Sequence, residues 1–234
     1  MLLSAIQSFT LLDYPGQSAC IVFTPGCNFR CGYCHNPEFV LPEKIQQIRH
    51  TFIPESIFLH FLEKRRGLLD GIVITGGEPT LMGDLLPFMK KIKEMGFLVK
   101  LDSNGNRPEI LSEAIEKNLV DYIAMDLKTN FAGYKNLVGK LVRTEKIAES
   151  INLIMRSGVD YEFRTTLVDE IHSKEVMEDM RSMIRGAKRL YLQQFRKEKT
   201  LDPRFESFQA FSSERLKETI AFFSEDIESV DIRL

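Results

Sequence analysis

The chain has 234 residues, and its 31 Lys and Arg against 33 Asp and Glu give a formal net charge of −2. That near balance sets up no general field for nucleic acid, an anionic membrane or an acidic substrate. Hydrophobic residues at 44% and charged residues at 27% exclude a disordered chain, and the length suits a single domain over 1–234, within the range of α/β barrels.

The opening run MLLSAIQSFTLL lacks the basic start and small-residue cleavage site of an export signal, and Asp13 ends it early. No stretch reaches the roughly 18 apolar residues that would span a bilayer, so a cytoplasmic protein is expected. The first strand is expected at 19–24 (ACIVFT). It leads into TPGCNFRCGYCHNPE at 24–38, which holds three of the four cysteines. A helical period follows over 54–66, then a strand at 71–76 (GIVITG) running into GGEP, and a helix over 84–95 whose first turn takes Pro87. Strands at 97–103, 121–127, 161–168 and 189–195 alternate with helices over 108–118, 143–157, 173–187 and 213–223, and ESVDIRL reads as an extra edge strand. Pro54 and Pro108 suit first helical turns, and Gly96 and Gly158 suit helix exits. Six strands joined by crossovers predict an α/β fold, a partial (β/α)6 barrel. In such barrels the reacting groups gather on loops at the C-terminal strand ends. The cysteine loop, GGEP, Asp102-Ser103-Asn104, Asp126 with Lys128, and Arg164 to Val168 all fall on that rim.

Clustered thiols do not make a disulfide framework, because two bridges need separated partners; in a reducing compartment they bind metal or do redox chemistry. Cys27, Cys31 and Cys34 give C-x3-C-x2-C. A structural zinc site wants four closed ligands, usually as two separated pairs. Here the other cysteine, Cys20, lies within an expected strand and reads as core packing, while His35 abuts Cys34. Zinc is the plain rival. A four-iron cubane held by three thiolates keeps one iron open for chemistry, and this spacing is neither the ferredoxin run nor the plant-type pattern.

The other rim residues have two readings each. Gly76 and Gly77 are either a tight turn or a place where backbone comes close to a ligand, and Tyr33 is either core packing or a ligand contact. Asp102 either caps the following helix or faces Asp126 across the rim, where a cation or a lysine must relieve the repulsion. Arg164, in an apolar strand pattern, needs an anionic partner; a cofactor carboxylate or an acidic residue on a neighbouring strand would serve. His35, His50, His60 and His172 read as solvated. LQQFRKEKTLDPRF (192–205) reads mostly as a solvated loop, with Gln194, Phe195 and Arg196 where a substrate would enter.

The C-x3-C-x2-C loop resembles that of the radical S-adenosylmethionine superfamily, and the likeness extends along nearly the whole chain. It implies a [4Fe–4S] cluster on Cys27, Cys31 and Cys34 whose open iron holds S-adenosylmethionine, so that one electron breaks a sulfur–carbon bond and leaves a 5′-deoxyadenosyl radical. It also implies Gly76, Gly77 and Glu78 at the methionine amino group and Tyr33 near the adenine. Asp102, Ser103, Asp126 and Lys128 would meet the ribose and the carboxylate, with Arg164 as a further carboxylate partner and a monovalent cation as a bridge. Within the superfamily, FTLLDYPG (9–16), CHNP (34–37), TGGEPTL, MDLK and LQQFRKEKTLDP resemble the activating enzymes of glycyl-radical proteins, most closely those of anaerobic ribonucleoside-triphosphate reductase. That resemblance implies a glycyl-radical enzyme as protein substrate and a low-potential electron donor such as flavodoxin or ferredoxin. Arg196 stands where pyruvate formate-lyase activators have a histidine. A radical enzyme acting on a small molecule or peptide, and a zinc-stabilised binding module, are the other classes.

Overall fold

The computed structural model of the chain describes residues 1–233. Among these residues ten strands and eight α-helices follow one another. They are β1 (Leu2–Leu3), β2 (Ala5–Thr10), β3 (Ala19–Thr24), α1 (Pro42–Ile48), β4 (Ile53–Pro54), α2 (Glu55–Glu63), β5 (Gly71–Gly76), α3 (Leu85–Glu94) and β6 (Leu98–Ser103). There follow α4 (Pro108–Glu116), β7 (Tyr122–Asp126), α5 (Phe131–Val138), α6 (Thr144–Arg156), β8 (Asp160–Leu167), α7 (Lys174–Met183), β9 (Arg189–Gln194), α8 (Ser213–Phe223) and β10 (Ser229–Arg233). No helix among the described residues is long and apolar enough to cross a membrane.

The chain divides into two compact units. The first comprises 1–28, 37–103 and 107–123, and the second comprises 29–36, 104–106 and 124–234. In the first, β2 pairs antiparallel with β3, and β3-β5-β6 run parallel. In the second, β8-β9-β10 run parallel. The alternation of strand and helix expected from the apolar runs is therefore present, with ends within a few residues of those expected.

β3 is buried at every residue but Phe23, as a strand covered on both faces must be, which is why it reads as an unbroken apolar run. Around it, Tyr14, Ala19, Ile21, Val73 and Tyr122 form one buried cluster. The parallel register of β3 on β5 sets Thr24 opposite Gly76, so the cysteine loop and the GGEP segment leave the sheet side by side. In the second unit Phe29 meets Tyr134 edge to face at 6.4 Å.

Helix boundaries follow local chemistry. Pro108 opens α4 and Pro87 lies in the first turn of α3, where the missing N–H costs nothing. Gly96 and Gly158 take left-handed φ of 91° and 77° just beyond α3 and α6. Pro54 departs from expectation: it stands before α2, at its N-cap and in β4. The expectation that His172 is solvated is wrong, since its ring is fully buried. Nor is 192–205 mostly a solvated loop: Phe195 and Thr200 are buried, and its backbone bonds to the cysteine loop.

Candidate functional site

The motif residues divide between the units, with Cys27, Gly76, Gly77, Glu78, Asp102 and Ser103 in the first and Cys31, Tyr33, Cys34, Asp126, Lys128 and Arg164 in the second. In the first unit the GGEP segment lies directly on the start of the cysteine loop. Gly77 N–H donates to Thr24 O (2.8 Å), Glu78 N–H to Gly26 O (2.7 Å), and Gly26 N–H to Phe39 O (2.8 Å). A Cβ on Gly77 would fall 2.0 Å from Gly26 O, and one on Gly76, whose φ is +115°, would fall 2.4 Å from Thr24 N. The two glycines thus admit a close backbone approach, and the backbone they admit is that of the cysteine loop itself.

Glu78 is buried. Its Oε1 accepts from Thr80 Oγ1 (2.6 Å), Thr80 N–H (3.2 Å) and Ser103 Oγ (3.0 Å), so that oxygen takes donors from the 3-10 turn Pro79–Leu81 and from the end of β6. Asp102 does not cap α4, whose N-cap is Arg107 without a side-chain cap bond. Instead Asp102 Oδ1 accepts from Lys100 Nζ at 2.8 Å, and that lysine is fully buried, with its ammonium 5.7 Å from the Tyr122 ring centroid. Residues two apart on a strand share a face, so the pairing was available in FLVKLDS. Lys100 and Thr80 are site residues that the sequence reading left out.

In the second unit Asp126 is the hub. Its Oδ2 accepts from Lys128 Nζ (2.9 Å) and its Oδ1 from Arg164 Nε (3.0 Å). Arg164 therefore takes an acidic residue of the preceding strand as a partner. Burial works against the Lys128 charge, yet Asp126 beside it holds its pKa well above the usual lysine range. The ammonium lies 5.9 Å from the Tyr33 ring centroid. The lysine's backbone is fixed at both ends: its N–H donates to Tyr134 Oη (3.1 Å), and its carbonyl lies 3.1 Å from His172 Nε2. His172 Nδ1 lies 3.0 Å from Val168 N and 3.2 Å from Val168 O, and burial of the ring lowers its pKa, which favours the neutral imidazole. Tyr134 and His172 were missed as well; both are solitary in sequence, and only tertiary contacts mark them.

Cys31 is buried, and burial pushes its thiol up to about 11, with Lys128 pulling against that shift. Cys34 N–H donates to Cys31 O at 3.0 Å. Cys20 lies fully buried in β3, its thiol pushed up to about 12 by burial, which makes it a packing residue. None of the four cysteines is in a disulfide, and among the described residues no three His, Cys, Asp or Glu side chains stand together as a ready site for a metal ion. The fit of the loop to a cluster therefore rests on its donors: soft thiols suit iron and sulfide, and a lysine ammonium beside Cys31 favours its thiolate. Tyr33 adds a second sign of a missing neighbour, because its hydroxyl is buried with no hydrogen-bond partner among the described residues.

Comparison with known proteins adds four findings. A sequence profile of the radical SAM superfamily matches residues 21–183. A Methanocaldococcus jannaschii protein provisionally named a glycyl-radical enzyme activating enzyme is 34% identical over 99% of this chain and 95% of its own length. A pyruvate formate-lyase-activating enzyme of Clostridium pasteurianum is 27% identical over 78% of this chain and 75% of its own. Among solved structures, Streptococcus suis SuiB superposes with a TM-score of 0.64 at 15% identity, covering 90% of this chain and 48% of SuiB. The chain thus spans about half the length of that structure, and the likeness is one of fold.

Proposed function

The chain belongs to the radical SAM superfamily, an enzyme family built on a [4Fe–4S] cluster and S-adenosylmethionine, and from that premise we propose that it installs a glycyl radical on a partner enzyme. The near full-length match to a named activating enzyme of glycyl-radical proteins carries this reading. The partner favoured by FTLLDYPG and LQQFRKEKTLDP is anaerobic ribonucleoside-triphosphate reductase. The likeness to a pyruvate formate-lyase-activating enzyme supports formate-lyase as the second candidate, against which Arg196 stands.

In this reading Cys27, Cys31 and Cys34 hold the cluster, which when bound supplies the electron that breaks the sulfur–carbon bond of S-adenosylmethionine. The protein's part is to bind, orient and keep water out. Gly76 and Gly77 carry the Glu78 segment onto the loop's backbone, and Glu78 offers a buried carboxylate to the methionine amino group. Ser103 and Asp102 are assigned to the ribose, and Lys128 and Arg164 to the methionine carboxylate. Asp126 holds the latter two cations in place until the cofactor shares them, and the Tyr33 ring is assigned to the adenine side. Lysines already stand beside both Asp102 and Asp126, so a monovalent cation rests on resemblance alone. A cytoplasmic location and a low-potential donor such as flavodoxin or ferredoxin complete the proposal.

The test is anaerobic. After reconstitution with iron and sulfide and reduction, the chain is expected to convert S-adenosylmethionine to 5′-deoxyadenosine, and Cys31→Ala is expected to hold little iron and form none while keeping its far-ultraviolet circular dichroism. Wild-type iron content in that variant would remove Cys31 from the ligand set; tightly bound zinc without cofactor cleavage would remove the radical reading.

A further inference from the structure

We propose that residues 195–205 are a strap that sets the conformation of the cysteine loop, with Phe205 as its positioning residue. The functional side of the proposal rests on the reading of that loop as the cluster's holder; the structural side does not.

Every contact involved lies within the second unit. Leu201 N–H donates to Cys34 O at 2.9 Å and Asp202 N–H to Gly32 O at 3.0 Å. The His35 ring stacks on Phe195 at 5.9 Å, and its Nε2 lies 2.9 Å from Arg196 O. Phe205 meets Tyr33 edge to face at 6.2 Å. It also covers Gly32 so closely that a Cβ there would fall 2.1 Å from its Cε2. Gly32 is not among the glycines with left-handed φ, so the aromatic ring, not the backbone, excludes a side chain at that position.

The strap has its own internal order. Pro203 starts a short 3-10 turn over Pro203–Ser207 whose first N–H, that of Arg204, is taken by Asp202 Oδ1 at 3.0 Å. Thr200 Oγ1 donates to Asp202 O at 2.8 Å, and Phe205 packs on Phe208 at 4.5 Å. The cysteine loop, by contrast, lies outside any helix or strand over residues 25–36. A segment without a repeating hydrogen-bond ladder takes its shape from outside. Here the strap fixes the carbonyls of Gly32 and Cys34, on either side of Tyr33, and so presets the main chain that carries two of the three thiols. Ligands held before a cofactor arrives spare it the cost of ordering them.

The experiment uses the full chain and three variants: Phe205→Ala, Gly32→Ala and the two combined. Amide hydrogen exchange over 29–35 and 200–205 is measured before reconstitution, then iron content and the reduction potential of the loaded cluster. Phe205→Ala is expected to raise exchange in both segments by about tenfold or more while β8 stays protected, to lower iron content, and to shift the potential. Gly32→Ala is expected to do the same by displacing the ring, and the double variant, whose new methyl occupies the vacated space, to exchange more slowly than Gly32→Ala alone. Should Gly32→Ala fail to accumulate, Phe205→Tyr takes its place and is expected to restore wild-type exchange.

Additive effects of the two substitutions, or wild-type exchange, iron and potential in Phe205→Ala, would overturn the strap. If the wild-type chain itself takes up no cluster, the functional reading fails, while the exchange measurements still decide whether the strap shapes the loop.

Discussion

Gly77 and Gly83 lie in one stretch of chain and are held by opposite constraints. At Gly77 a methyl group would meet the Gly26 carbonyl, a backbone atom that cannot swing away, whereas at Gly83 nothing lies within 4 Å. Gly77→Ala is expected to destabilise the protein by about 3 kcal/mol or more, and Gly83→Ala to leave it within about 1 kcal/mol of wild type, the reduced freedom of the unfolded chain working in its favour. Urea midpoints of the two variants check this, and equal midpoints would show that the glycines admit no obligatory contact. The Lys100–Asp102 pair yields a second residue-level expectation. Lys100→Met takes the cation from beside a buried carboxylate, and breaking a buried pair by removing one partner costs about 3–5 kcal/mol. Replacing both, as Lys100→Met with Asp102→Asn, is expected to cost clearly less than the sum of the two single changes. A double-mutant cycle reads the coupling directly, and strict additivity would mean the two groups act separately.

At the scale of elements, the segment after β7 shows how a short motif is held. Lys128 is fixed through its main chain, by Tyr134 of α5 on one side and by His172, just before α7, on the other. Burial depresses the His172 pKa below its ordinary value, and its backbone bonds to Lys128 and Val168 oppose that shift only in part. The native state therefore leaves the ring neutral, while the unfolded chain protonates it below about pH 6.5. Since the unfolded state binds more protons there, the contribution of His172 is complete above that pH. It is lost as pH falls through about 6.5 toward the folded pKa, at no more than about 1.4 kcal/mol per pH unit. Urea midpoints of the wild type are expected to drop faster between pH 7 and 5 than those of His172→Gln, and parallel profiles would count against a buried neutral ring. This histidine also marks where sequence reading stops. β3, β5 and β7 were legible because burial makes their runs apolar. β2 was not: as an edge strand it exposes Gln7, Ser8 and Phe9, and its pattern carries no clean alternation. α5, FAGYKNLV, mixes a glycine with aromatics and hides its helical period until Asn130 is seen accepting from Gly133 N–H as the N-cap. The cysteine loop and GGEP announce themselves by spacing, and the Lys100–Asp102 and Lys128–Asp126 pairs by their two-residue interval, whereas the Arg164–Asp126 pair depends on register between strands and the hold on the Lys128 main chain on Tyr134 and His172, which no motif marks.

For the molecule as a whole, the remaining choice is between a protein substrate and a small one, and stoichiometry separates them. An activating enzyme uses S-adenosylmethionine to take one hydrogen atom from a glycine of its partner, and the radical then persists on that partner through many of the partner's own turnovers. Cofactor consumption should therefore track the amount of partner activated and stop once all of it carries the radical. An enzyme acting on a free small molecule would continue to consume cofactor for as long as substrate lasted, unless it regenerated the cofactor in each cycle. Incubated anaerobically with excess S-adenosylmethionine and limiting anaerobic ribonucleoside-triphosphate reductase, the chain is expected to form 5′-deoxyadenosine in an amount that plateaus in proportion to the reductase. A glycyl-radical signal in electron paramagnetic resonance should rise to the same plateau. The same titration with pyruvate formate-lyase is expected to give neither. A plateau and signal with formate-lyase instead would transfer the assignment to that partner, and this outcome would show that Arg196 is compatible with it. Because the net charge is only −2, long-range steering contributes little to either encounter, and the choice between them falls to contacts made after the proteins meet.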